Sequence, residues 1–245
     1  MPTPGTIRAR LLARPHAVLL AAIVSAFAVR PLIGDTGAAP IVFSFALVAV
    51  VLATLLTIQI DELVGDRAAL LAERRSRMVV GWTLAVVALA ERLLVTLFPS
   101  YDLILVSSIC WAVFFGFATW SQLRNLLKQR AVTSETICSA VSVYLLLGLT
   151  WGLLYVIIFV RHQEAFSFAT PPQGPQQVIP ILTYFSMTTL ATIGFGDITP
   201  VTLPARYMAV AEGITGQFYL AILVARLVGL QMSQNQLPTN KGTTD

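Results

Sequence analysis

Apolar stretches of membrane length dominate this chain and leave it few folds to choose from. Residues 16–34, 40–60, 78–98, 101–121, 137–160 and 204–230 are each mostly apolar, and about 20 such residues cross a hydrocarbon core as a helix. A seventh apolar stretch, 178–190, is too short to cross. With 56% hydrophobic and 11% charged residues and a mean hydropathy of +0.78, the composition excludes a soluble globular domain. The expectation is an all-α membrane protein of six transmembrane helices. The short stretch is then a re-entrant helix, and irregular backbone after it is tolerable only where protein buries it or water meets it.

Basic residues orient the spans. Arg8, Arg10 and Arg14 precede the first; Arg67, Arg74, Arg75 and Arg77 lie between the second and third; Arg124, Lys128 and Arg130 lie between the fourth and fifth. The positive-inside rule places these stretches in the cytoplasm. The opposite side receives Gly34–Ala39, Pro99–Ser100 and the longer Arg161–Val178 loop. Both termini are then cytoplasmic, in the plasma membrane, and the net charge of +4 reflects orientation signals rather than a nucleic-acid partner. A second reading of the N-terminus is a secretory signal peptide, with Arg8–Arg14 followed by the apolar Ala17–Val29. Its removal would leave the remaining topology unchanged.

Between the short stretch and the last span lies Thr192-Ile193-Gly194-Phe195-Gly196-Asp197. Two glycines around one aromatic allow successive carbonyls to face one side of an extended strand, because glycine visits backbone angles that a Cβ blocks. Rings of backbone carbonyls can replace the water that an ion gives up on entering a pore. A phosphate loop would instead follow a strand and open a helix in a soluble unit.

From Val178 to Leu230 the chain resembles the pore module of tetrameric potassium channels, whose filter pattern is T-[VI]-G-[YF]-G-[DN]. Tyr184, Phe185, Thr188 and Thr189 fall in the segment resembling that family's pore helix. Ala191 stands where many relatives carry a second threonine, and Phe195 replaces the commoner tyrosine. The resemblance implies a selectivity filter at Thr192, Ile193, Gly194, Phe195, Gly196 and Asp197, with K+ held at Thr192, Ile193, Gly194 and Phe195. It implies a cavity lined by Gln217, Leu220, Val224 and Val228, and an inner-helix bend at Gly216. One chain carries one filter strand, so a homotetramer is required to encircle an ion. The implied organisation is a four-helix transmembrane bundle over 1–121, an amphipathic interfacial linker helix over 122–136, a pore domain over 137–232 and a short cytoplasmic tail over 233–245.

Six spans with the pore between the last two raise the question of voltage sensing. A sensor needs about 3–4 positive charges in its fourth helix, yet Leu103 to Gln122 contains neither lysine nor arginine. Arg30, Glu91 and Arg92 fall late in their spans and read as ion-paired contacts near the headgroups. Arg226 approaches the cytoplasmic mouth or snorkels to headgroups. Leu123, Leu126, Leu127 and Ala131 recur at helical spacing in the linker, which the resemblance assigns to coupling the bundle to the pore. Glu212, about a turn before Gly216, is an intramembrane acid that needs a partner, and Thr188 or Thr189 are the candidates.

Nothing in the chain points to catalysis. His16 and His162 lack metal-ligand spacing to acids or cysteines, and Cys110 and Cys138 read as packing residues. No cofactor is expected beyond K+ as the permeant ion, and the expected partners are three further copies, membrane lipids and an unidentified gating partner. The function the resemblance implies is passive, potassium-selective conduction without a charged voltage sensor. The alternatives are a poorly selective cation channel and a non-conducting regulatory membrane subunit.

Overall fold

The computed structural model describes residues 14–33, 48–57, 79, 81–83, 85–87, 90, 98, 100–129 and 131–235. Five helices organise them: α1 (Pro15–Ile33), α2 (Tyr101–Lys128), α3 (Ser134–Arg161), α4 (Pro175–Leu190) and α5 (Leu203–Asn235). A further helical segment covers Val48–Thr57. Among the described residues three helices, α2, α3 and α5, are long and apolar enough to cross a membrane, so the chain is a mostly helical membrane protein. Most of the expected second and third spans, with Glu91 and Arg92, lies outside the described residues, as does the basic loop between them.

Local chemistry sets the helix ends. The Ser100 hydroxyl accepts the amide proton of Leu103, and Asp102 stands in the first turn, where an acid complements the positive end of the helix dipole. Thr133 and Thr136 form a reciprocal capping box at the start of α3. Helix α4 starts at Pro175, where a missing N–H costs no helical bond.

The separate linker helix expected over 122–136 is replaced by another arrangement. Helix α2 runs unbroken to Lys128, and the extended Gln129 and Thr133 flank the short turn before α3. Leu123, Leu126 and Leu127 therefore continue the same helix, with Leu126 only 2% exposed and Leu127 exposed. The helical spacing holds for the three leucines, while Ala131 falls in a bend beyond the helix end; no breaker separates the leucines from the preceding span, so they merge with it.

Two cores hold the elements together. In one, Leu19 and Ile23 of α1, Val50 and Leu55, and Ala85 pack on Trp111, Phe114 and Phe115 of α2 and on Leu146 and Leu153 of α3. In the other, Tyr155, Val156 and Phe159 of α3 enclose Val178, Leu182 and Phe185 of α4, joined by Ile104, Phe166, Ile198 and Ala205. The short helix α4 is thus packed beside α3, with Val178, Leu182, Phe185 and Leu190 buried.

Two polar contacts report relative direction. The His16 amide donates to the Glu135 carboxylate at 3.0 Å, so the starts of α1 and α3 lie together. The Arg226 guanidinium donates to the carbonyls of Leu127 and Gln129, where α2 ends. A cation on the last carbonyls of a helix satisfies groups with no partner inside the helix. Arg226 thus fastens the far half of α5 to the end of α2. Arg226→Gln is expected to lower the stability of the purified protein by about 1–2 kcal/mol, read as a lower midpoint of thermal unfolding. Arg226→Lys should recover only part of it, since an ammonium lacks the planar fork that reaches two carbonyls.

The Arg161–Val178 loop is more structured than an all-helical reading implies. Phe166–Phe168 pairs antiparallel with Ile198–Pro200, with Ser167 opposite Thr199. Flanking amides extend the ladder, Ala169 donating to Asp197 and Val201 to Ala165, both at 2.8 Å. This two-stranded clip ties the backbone after residue 197 to the loop after α3.

Candidate functional site

The loop 192–197 begins where α4 ends, and its amides turn back onto that helix. Thr192 N–H donates to Thr189 O at 3.0 Å, and Ile193 and Gly194 N–H both donate to Thr188 O, at 2.8 and 3.2 Å. In a planar trans peptide the carbonyl points opposite to the N–H. The carbonyls of Ala191, Thr192 and Ile193 therefore point away from α4, toward the open side of the protomer. These bonds also satisfy helix-end carbonyls that have no intrahelical donor.

Backbone angles alternate in hand along the same stretch. Thr192, Gly194 and Gly196 have φ of 57°, 56° and 80°, whereas Ile193 and Phe195 are not in the left-handed region. No atom lies within 4 Å of a Cβ built on Gly194 or Gly196, so the backbone angle and not crowding calls for glycine there. Thr192 adopts this conformation despite its β-branched side chain, which the sequence did not signal.

Behind the loop, Phe195 stacks on Tyr184 of α4, with parallel rings whose centroids are 6.3 Å apart. Phe195 cannot supply a phenolic hydrogen bond, and in this protomer its contact with Tyr184 is between rings. Phe185 points the other way, into the core, edge-on to Tyr155 at 5.0 Å and Phe166 at 5.5 Å.

Helix α5 backs against the end of α4. A Cβ on Gly216 would stand 2.4 Å from Leu190 O, and one on Gly213 would be 3.9 Å from Thr189 O. Gly216 is therefore a close-approach glycine in an unbroken helix. The Tyr144 hydroxyl donates to the same Leu190 carbonyl at 3.1 Å, and the Tyr219 hydroxyl donates to Ala140 O at 2.7 Å. Gln217, Leu220, Val224 and Val228 are exposed on the single protomer, on a common stripe of α5.

Glu212 is fully buried, and its partners differ from those expected. The hydroxyls of Thr188 and Thr189 both donate to Phe185 O in their own helix, which removes them as partners. Glu212 instead meets the Tyr155 hydroxyl of α3 at 2.5 Å and the Ser186 hydroxyl of α4. Helical geometry explains the difference, since a threonine hydroxyl can reach a carbonyl one turn back. Ser186, two residues before Thr188, faces the junction of α3, α4 and α5.

Comparison with known proteins adds an independent observation. Residues 133–231 match a family model described as "Ion channel". The chain is 31% identical to Protein LctB of Bacillus caldotenax over 88 residues, covering 35% of this chain and 64% of that protein. It is also 31% identical to Protein LctB of Geobacillus stearothermophilus over 87 residues, covering 34% of this chain and 62% of that protein. The chain thus spans less than two thirds of the curated relatives it matches. No solved structure was found to match it. The part similar to an ion channel domain contains α3, α4, the loop 192–197 and nearly all of α5.

Proposed function

We propose that four copies of this chain form a potassium-selective channel that conducts passively and lacks an arginine-ladder voltage sensor. The observation that carries this reading is the direction of the backbone at 191–193. Three consecutive amides turn back to α4, so the matching carbonyls face the open side, as ion coordination by backbone oxygens requires. The C-terminal end of α4 adds partial negative charge nearby, which favours a cation.

Assembly is supported by the state of α5. Only 6% of its most apolar window is buried in the single protomer, against 44% for α2 and for α3. Gln217, Leu220, Val224 and Val228 would face the common axis below the filter. In α2 the central region is filled by Trp111, Phe114 and Phe115, whose rings contact one another at centroid distances of 5.3–6.1 Å. An apolar aromatic core without cations gives the transmembrane potential no charge to move there.

The test is ion flux through the purified chain in liposomes under potassium or sodium gradients, with barium added as a blocker. Barium-blocked flux favouring potassium is the expected result. Equal sodium flux would replace the proposal with a poorly selective cation channel. Absence of flux under varied lipid, pH and voltage would replace it with a non-conducting subunit.

A further inference from the structure

The junction around Glu212 can be read by counting protons. Three oxygen–oxygen contacts meet there: Tyr155 hydroxyl to Glu212 Oε2, Ser186 hydroxyl to Glu212 Oε1, and Ser186 hydroxyl to Gly148 O. Each contact needs one proton between its oxygens. Tyr155 and Ser186 bring one each, and the Gly148 carbonyl brings none. With Glu212 ionised, one of the three contacts would press two lone pairs together inside the protein. A proton on Glu212 Oε1 completes the set, since the acid then donates to Ser186, Ser186 donates to Gly148 O, and Tyr155 donates to Oε2.

The surroundings agree with this count. Glu212 is 0% exposed, and no cation pairs with it among the described residues. The titratable groups facing it are the phenols of Tyr155 and Tyr144, both from α3, while α4 presents only the Ser186 hydroxyl. An unpaired carboxylate among such groups is costly to bury, whereas a hydrogen-bonded neutral acid is not. The junction also joins three elements at one point. Glu212 belongs to α5, Ser186 to α4, and Tyr155 and Gly148 to α3.

We infer that Glu212 is held as a neutral carboxylic acid, and that its proton completes a three-helix junction that positions α4 and hence the loop 192–197. Glu212 is a positioning residue, acting through Ser186 and touching no ion. The inference deepens the channel reading, but only its conduction arm rests on that reading.

Infrared difference spectra of the full-length protein, wild type against E212Q at neutral pH, test the protonation state without any need for conduction. A protonated-carboxyl stretch present in the wild type and missing from E212Q is expected. Its absence from the wild type would overturn the inference. Hydrogen exchange of the α4 amides tests positioning. A glutamine amide can donate to Ser186 and accept from Tyr155, so E212Q should exchange as the wild type does. E212M, of similar size and without polar atoms, should speed exchange of α4 about tenfold. If E212Q is as impaired as E212M, the working form is the carboxylate and the inference fails. If E212M matches the wild type, the junction does not position α4. Should these readouts hold while the liposomes show no potassium selectivity, the channel reading falls and the junction stands.

Discussion

Gly194→Ala is expected to abolish potassium-over-sodium selectivity, and Gly196→Ala to do the same, while both chains still fold and insert. The cost comes from backbone handedness. Both positions sit in the left-handed region, where a Cβ costs about 1–2 kcal/mol per residue. Thr192 already carries such a conformation beside them, at φ of 57°, so the loop has little left with which to absorb a second strained residue. In the proposed tetramer the substitution would be repeated around the ring, roughly 4–8 kcal/mol in all. The loop relieves this by rotating peptides, and a rotated peptide withdraws a carbonyl from the axis. Selectivity should fall by roughly a hundredfold or more. Two glycines serve as controls. Gly174 is extended, at φ of 176°, and Gly229 lies in α5; a Cβ added at either would meet no atom within 4 Å. Alanine at Gly174 or Gly229 should leave flux ratios unchanged, and at Gly229 it should favour the helix by roughly 1 kcal/mol. Potassium and sodium flux from liposomes separates the cases. Retained selectivity in Gly194→Ala would remove the carbonyl ladder from the mechanism.

Much of this architecture could be read from the residues because the physics is local. The span expected at 137–160 is α3, Ser134–Arg161, and the short stretch expected at 178–190 is α4, Pro175–Leu190. Length and hydropathy suffice to find such elements, since helix rise and bilayer thickness fix their size. The left-handed angles at Gly194 and Gly196 are ones that glycine permits without a Cβ clash, and the two glycines around one aromatic pointed to them. What could not be read depends on contacts between distant residues. Ser186 and Tyr155 lie 26 and 57 positions from Glu212, and no spacing rule links them. The threonines nearer the loop drew attention for their hydroxyls, but those are used inside their own helix. The strand pair Phe166–Phe168 with Ile198–Pro200 is only three residues long on each side, too short for alternation to stand out. The merging of the linker into α2 was hidden because one helical period looks the same on either side of an expected boundary.

Replacing the small residues where α5 and α3 meet α4 should give an order that distances alone would not. Gly216→Ala is expected to be the most damaging of three, followed by Gly152→Ala, with Gly148→Ala the mildest. At Gly216 the added carbon would stand 2.4 Å from Leu190 O and 3.2 Å from Leu190 C. Both are backbone atoms at the end of α4, and the same carbonyl already accepts from Tyr144. Neither helix can yield without moving the other, so the full overpacking cost applies, about 3 kcal/mol. At Gly152 the nearest atom is Thr183 Cα, 2.9 Å away, in the middle of α4. That too is backbone, but at a slightly longer distance, and about 1–2 kcal/mol is expected. At Gly148 the clash is nominally close, 2.6 Å to Met187 Cε and 2.7 Å to its Sδ. A methionine tip can swing aside through its unbranched side chain, so the cost should stay below about 1 kcal/mol. Thermal unfolding midpoints of the three purified variants measure the order. The functional consequence is graded differently, because Leu190 is followed immediately by Ala191 and Thr192, so its displacement moves the first carbonyls of the loop. Gly216→Ala should therefore lose potassium flux even in the fraction that remains folded, while Gly148→Ala conducts normally. A Gly148 variant as unstable as the Gly216 variant would mean that Met187 is locked in place and that the end of α4 is packed more rigidly than its side chains imply.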